Sequence, residues 1–159
     1  MAVSTRPEGY HSITPYLIVD DASAAIDFYQ RAFGAEEVYR LPMTDAAGNP
    51  RVGHAEVRIG DSVMMLSDEW PHMDALGPKS RGGPTTTFMF YVPDVDAAFQ
   101  RALDAGGHAQ TQVEDQFWGD RSGTIADPFG HHWMLSTHVE DVPPEELQSR
   151  MAAWAARHS

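Results

Sequence analysis

The chain has 159 residues, 42% of them hydrophobic and 21% charged, which is the size and balance of one globular domain with room for a real core. Its formal net charge is -12, from 23 carboxylates against 11 basic residues of which Lys79 is the only lysine. Such a surface repels phosphate backbones and argues against nucleic-acid binding. With no cysteine there is no disulfide framework, thiolate metal site or thiol nucleophile. No apolar run approaches the roughly 20 residues of a membrane span, and Met1 to Gly9 lacks a secretory apolar stretch, so a cytoplasmic protein without membrane contacts is expected.

Residues 1–10 read as a tail. His11 to Val19 is rich in β-branched and aromatic residues and predicts a strand. Asp20 or Asp21 then caps a helix over Ala22 to Phe33, in which Ala25, Ile26, Tyr29 and Phe33 share one face, and Gly34 stops it. Glu36 to Pro42 predicts a second strand, and Asp45 to Pro50 is turn material. Arg51 to Ile59 alternates, with Val52, Ala55, Val57 and Ile59 small or apolar and His54, Glu56 and Arg58 on the opposite face. Gly60-Asp61 turns the chain into a fourth strand, Ser62 to Ser67.

Asp68 to Pro84 carries three prolines, three glycines and a tryptophan, and reads as a linker or lid. The order of elements then repeats. Thr85 to Val92 is a strand, Asp94 to Ala105 a helix stopped by Gly106-Gly107, and His108 to Val113, Arg121 to Ala126 and His131 to Thr137 are strands. Asp127-Pro128-Phe129-Gly130 forms a tight turn. Residues 139–159 are separate: Pro143-Pro144-Glu145-Glu146 starts a helix with Leu147, Met151 and Trp154 on one stripe, suited to packing on the domain or a partner.

The repetition is visible in the letters. Val19-Asp20-Asp21-Ala22-Ser23-Ala24-Ala25-Ile26 returns as Val92-Pro93-Asp94-Val95-Asp96-Ala97-Ala98-Phe99, and Met64-Met65-Leu66-Ser67 as Trp133-Met134-Leu135-Ser136. The expected fold is α+β: paired βαβββ modules, residues 11–67 and 85–138, forming a curved mixed sheet around a cleft, plus a C-terminal helix. Clefts of that kind take small molecules.

The double βαβββ pattern, with Ala25-Ile26-Asp27-Phe28-Tyr29 after the first strand and Asp127-Pro128-Phe129-Gly130 before the last, resembles the vicinal oxygen chelate superfamily. That superfamily includes glyoxalase I, extradiol dioxygenases, fosfomycin-resistance enzymes and bleomycin-binding proteins. Phe117-Trp118-Gly119-Asp120-Arg121 and His131-His132-Trp133 to Thr137-His138 look most like its PhnB-type branch. The resemblance implies four metal-ligand positions, which fall here on Thr14, Met65, Thr87 and Met134. None is a good ligand for a hard or borderline divalent cation, so no metal and no cofactor are expected.

His54 and Glu56, two apart on one strand face, are the candidate acid–base pair; their alternative is a hydrogen-bonded structural pair. Trp118 and Arg121 are read as a platform for a planar or anionic group, against a structural role pinning the loop. Thr14, Tyr16, Met65, Thr87, Met134 and His138 complete the expected ligand wall. Two functions remain open. One is metal-independent binding and sequestration of a small molecule by a homodimer. The other is a lyase- or isomerase-type enzyme using His54 and Glu56, in one version with a relocated divalent metal at His54, Glu56 and His138.

Overall fold

In the computed structural model, which describes residues 3–158, each module places four strands and one helix in the same order. The first holds β1 (Tyr16–Val19), α1 (Ala22–Phe33), β2 (Glu36–Thr44), β3 (Pro50–Ile59) and β4 (Ser62–Asp68). After a 3-10 turn at Pro71–Met73 and the one-turn α2 (Pro78–Arg81), the second holds β5 (Thr87–Tyr91), α3 (Val95–Asp104), β6 (His108–Asp115), β7 (Asp120–Ala126) and β8 (His132–His138). Helix α4 (Pro144–His158) follows. The sheets are four-stranded and mixed, in the orders β1-β4-β3-β2 and β5-β8-β7-β6, and in each the first-named pair is parallel. The chain divides into two compact units, one running to Thr85 and including Pro128–His131, the other formed by Thr86–Asp127 and the chain from His132 onward.

The duplication extends to the helix starts. Asp21 caps α1 by accepting from the Ala24 amide at 2.9 Å, and Asp94 caps α3 through Ala97 at 3.1 Å. A second donor in each first turn is met from the sheet: the Ala22 amide gives to Asp68 Oδ1 at 2.7 Å, the Val95 amide to Thr137 Oγ1 at 2.9 Å. Each helix covers one face of its own sheet. Ile26 and Tyr29 are buried, as are Leu17, Val19, Val57 and Leu66; in the second unit Phe99, Ile125, Trp133 and Leu135 are buried. Phe88 lies against Trp133 with ring centres 4.9 Å apart, so it belongs to the core of the second unit.

Where the structure departs from the sequence reading, proline and bulges supply the reason. β1 starts only at Tyr16, because Pro15 offers no amide to continue the ladder; residues 11–15 instead belong to an N-terminal segment lacking regular structure. β2 runs past Pro42 to Thr44, since it is an edge strand with a register shift between Leu41 and Pro42 that accommodates the missing donor. The 68–84 segment is not featureless: Asp68 ends β4, and Trp70 and Ala75 form a β-bridge.

Gly119 is held at φ +97°, and a Cβ there would stand 2.1 Å from the Glu140 carbonyl oxygen, while its own carbonyl accepts from the Val139 and Glu140 amides. Gly119→Ala therefore meets both backbone strain and a clash with main chain that cannot swing aside. A loss of about 2 kcal/mol or more in urea-unfolding free energy is expected; a loss under half that would mean the 138–140 segment shifts freely.

Candidate functional site

The face of the first sheet opposite α1 carries a polar cluster centred on Glu56, which is 3% exposed. β3 aims His54 and Glu56 to the same side, as period-two alternation requires. β2 adds Tyr39, paired across from Glu56, and β1 adds Tyr16, paired with Met65. The N-terminal segment returns over this face and places the Tyr10 hydroxyl on Glu56 Oε2. Tyr39 donates to Oε1 at 2.7 Å, and His54 Nε2 stands 3.3 Å from the same oxygen. Tyr16 contacts His54 Nδ1 at 2.9 Å. One tautomer satisfies both histidine contacts: Nε2–H donates to the carboxylate and bare Nδ1 accepts from the tyrosine.

Burial pushes the Glu56 carboxyl upward, but hydrogen bonds from Tyr10, Tyr39 and His54 outweigh it and hold the group below its ordinary 4.5. The same bond raises Tyr10 from 10.0 to about 12, and Tyr39 is also raised by donating to Glu56. Beside the cluster is a pocket of about 540 Å³ whose walls include Arg6, Tyr10, His11, Thr14 and Met65, within the size range of small-molecule sites.

The second unit has its own buried carboxylate, Asp120, 2% exposed. Its Oδ2 accepts from Tyr91 at 2.9 Å, Trp118 Nε1 at 3.0 Å and Ser136 at 3.3 Å; Oδ1 faces His138 Nδ1 at 2.8 Å. Desolvation raises this carboxyl, yet His138, Tyr91, Trp118 and Ser136 together hold it low. His138 Nε2 also faces Asp141, at 2.9 Å. An imidazole that donates from both nitrogens is protonated, and the bonds to Asp141 and then Asp120 raise its pKa above 6.5. Stabilisation from a raised group is complete below the unfolded value and fades as pH climbs through the folded one. Comparing wild type with His138→Gln by urea unfolding from about pH 5 to pH 9 should show a gap at the acid end that closes at the alkaline end. A gap independent of pH would contradict a charged His138.

Thr14, Tyr16, Met65, His54 and Glu56 of the sequence-derived site thus gather in the first unit, while Trp118 and His138 gather with Asp120 in the second. Thr87 and Met134 lie on the same side of the second sheet as Met89 and Tyr91. Arg121 is a correction. It sits one residue from Asp120 and so on the opposite, helix-covered face, where its guanidinium bonds Asp96 at 2.8 and 2.9 Å and Asp115 at 3.1 Å. It pins α3 to the sheet and makes no platform with Trp118, whose indole N–H is given to Asp120. Tyr10, within the presumed tail, and Tyr39 were not foreseen.

The positions that the fold would use for a metal carry two hydroxyls and two thioethers, which do not fit a divalent ion. The residues of the relocated alternative are otherwise engaged: His54 and Glu56 bond each other, and His138 is held between Asp120 and Asp141. Among the described residues no group of three His, Asp or Glu is placed to hold a metal.

A family model described as the glyoxalase/bleomycin resistance protein/dioxygenase superfamily matches residues 9–135. The chain belongs to this superfamily. Protein Mb0911c of Mycobacterium bovis is 45% identical over 156 residues, spanning 96% of this chain and 97% of its own. The crystal structure of PA1353 from Pseudomonas aeruginosa superimposes with a TM-score of 0.64 at 25% identity, covering 82% of this chain and 99% of that one. A PhnB protein from Bacillus cereus shares the fold, with a TM-score of 0.62 at 20% identity over 80% of this chain and 99% of its own. Among the described residues no helix is long and apolar enough to cross a membrane.

Proposed function

We propose that the protein binds a small organic molecule on the open face of its first sheet, without a metal, and holds it chemically unchanged. Superfamily membership supports a ligand-binding role, and the hydroxyls and thioethers at the inherited ligand positions support metal independence. The observation that carries the reading is the state of Glu56. Both of its oxygens already accept hydrogen bonds and its proton affinity is lowered, so it is a fixed negative pole. A general base for neutral pH needs a pKa close to the working pH, and three hydrogen bonds hold that of Glu56 down. The acid–base enzyme reading is disfavoured on that count.

Three aromatic probes that differ in their polar group, benzyl alcohol, benzoate and benzylammonium, test this by NMR titration. At least one should perturb Tyr10, Tyr16, Tyr39 and His54 together, and should be recovered unaltered after long incubation. Silence from all three, or perturbations confined to other surfaces, would defeat the proposal. Turnover of a bound compound that vanishes in Glu56→Gln would replace it with the acid–base reading.

The protein is further proposed to act as a homodimer. Leu41 and Met43 in one unit and Met89 and Tyr91 in the other are large side chains at least two-fifths exposed, on strands that a second copy could cover. Sedimentation equilibrium should return twice the chain mass; the chain mass itself would refute it.

A further inference from the structure

We propose that the molecule bound at this site is an amine carried as its ammonium ion, which takes the place of the Tyr10 hydroxyl on Glu56. This rests on the reading of the first-sheet face as the binding site. Glu56 is buried, yet the groups bonded to it are two phenols and one imidazole, none of them a permanent cation. Among the described residues no lysine or arginine nitrogen lies within the 4.0 Å of an ion pair. Arg58 is two residues along the same strand face, but its guanidinium lies against Gly9. A buried carboxylate with no lysine or arginine beside it is incompletely balanced, and a ligand cation completes it.

The surroundings suit that cation. The Tyr16 and Tyr39 rings flank His54 at centroid distances of 5.4 and 5.7 Å, and both phenols are partly exposed. Aromatic faces stabilise an ammonium group beyond what the carboxylate alone provides. The net charge of -12 draws cations toward the molecule. Exposed Arg6, whose guanidinium donates to the Ser12 hydroxyl at 3.3 Å, sets the opposite polarity elsewhere on the pocket wall, where acceptor groups of the same molecule would lie.

Tyr10 is the replaceable donor. Tyr39 reaches Glu56 from the paired strand and His54 from its own, whereas Tyr10 comes from a segment without regular structure and, among the described residues, is the one donor on Oε2. An N–H donor with full positive charge makes the stronger hydrogen bond to a carboxylate than a phenol does. The hydroxyl keeps the carboxylate satisfied until the amine arrives, then yields.

The three probes separate this inference from the reading beneath it. At neutral pH benzylammonium should bind about tenfold more tightly than benzyl alcohol, because a charged donor gains more from the carboxylate than a neutral hydroxyl does. Glu56→Gln should erase that preference, so that benzylammonium binds no more tightly than benzyl alcohol to the same variant. Tyr10→Phe, which removes the competitor, should tighten benzylammonium. Benzyl alcohol or benzoate binding as well as benzylammonium would overturn the amine and leave the site standing; no binding by any of them would remove both. Unchanged or weaker benzylammonium binding in Tyr10→Phe, with the fold intact by circular dichroism, would overturn the displacement.

Discussion

Glu56→Gln should destabilise the protein by about 1–3 kcal/mol in urea unfolding near neutral pH, although it changes one oxygen for one nitrogen. Tyr10, Tyr39 and His54 all point donors at this side chain, and an amide can accept from only one side. An amide oxygen kept for Tyr39 and His54 leaves the Tyr10 hydroxyl facing an N–H, where it must reverse its O–H to accept. The pH profile gives a second signature. Because Glu56 titrates below its ordinary 4.5 in the folded protein, its contribution is complete above that pH and is lost as pH falls through the folded value. Tyr10 works in the opposite direction. Raised from 10.0 to about 12, it contributes below pH 10.0 and loses that contribution as pH rises toward 12. The glutamine variant should flatten both limbs. Equal stability of the two proteins at every pH would mean the cluster is ornamental.

Asp120→Ala should cost more, about 3 kcal/mol or above, because the buried Ser136 hydroxyl and the Trp118 indole lose their acceptor while His138 loses the carboxylate behind it. Asp120→Asn should be milder. An asparagine oxygen can still accept from Tyr91 and Trp118, and its amide can donate to His138 Nδ1 once the imidazole sheds its proton, with Nε2–H kept for Asp141. The asparagine variant should therefore retain most of the fold yet lose the share of the His138 pH dependence that comes from Asp120, the Asp141 share remaining. Chemical denaturation of both variants at two pH values checks this; an alanine variant as stable as the asparagine one would contradict it.

Most of the architecture was legible because duplication writes each element twice. Ala25, Ile26 and Tyr29 mark the α1 face by helical spacing, and Asp21 and Asp94 announce the two helix starts. The shared face of His54 and Glu56 followed from strand alternation alone. The same rule already separates Asp120 from Arg121, and it should have outweighed their adjacency in the motif. Tyr10 was illegible for a different reason: it meets Glu56 across 46 positions from a segment with no periodicity. Tyr39 was obscured by the register shift between Glu37 and Tyr39, which breaks the alternation that would have placed it. Asp68 read as the first loop residue, whereas its buried carboxylate closes β4 by accepting from the Ala22 and Val52 amides at 2.7 and 2.5 Å.

The ligand account narrows to one atom group, and carbon-13 NMR can watch it. With the glutamate carboxyls labelled and assigned, benzylammonium added at neutral pH should shift the Glu56 signal along a saturating curve, with the Tyr10, Tyr16 and Tyr39 rings following at the same midpoint. A Glu56 carboxyl signal that stays fixed through the titration would contradict the account.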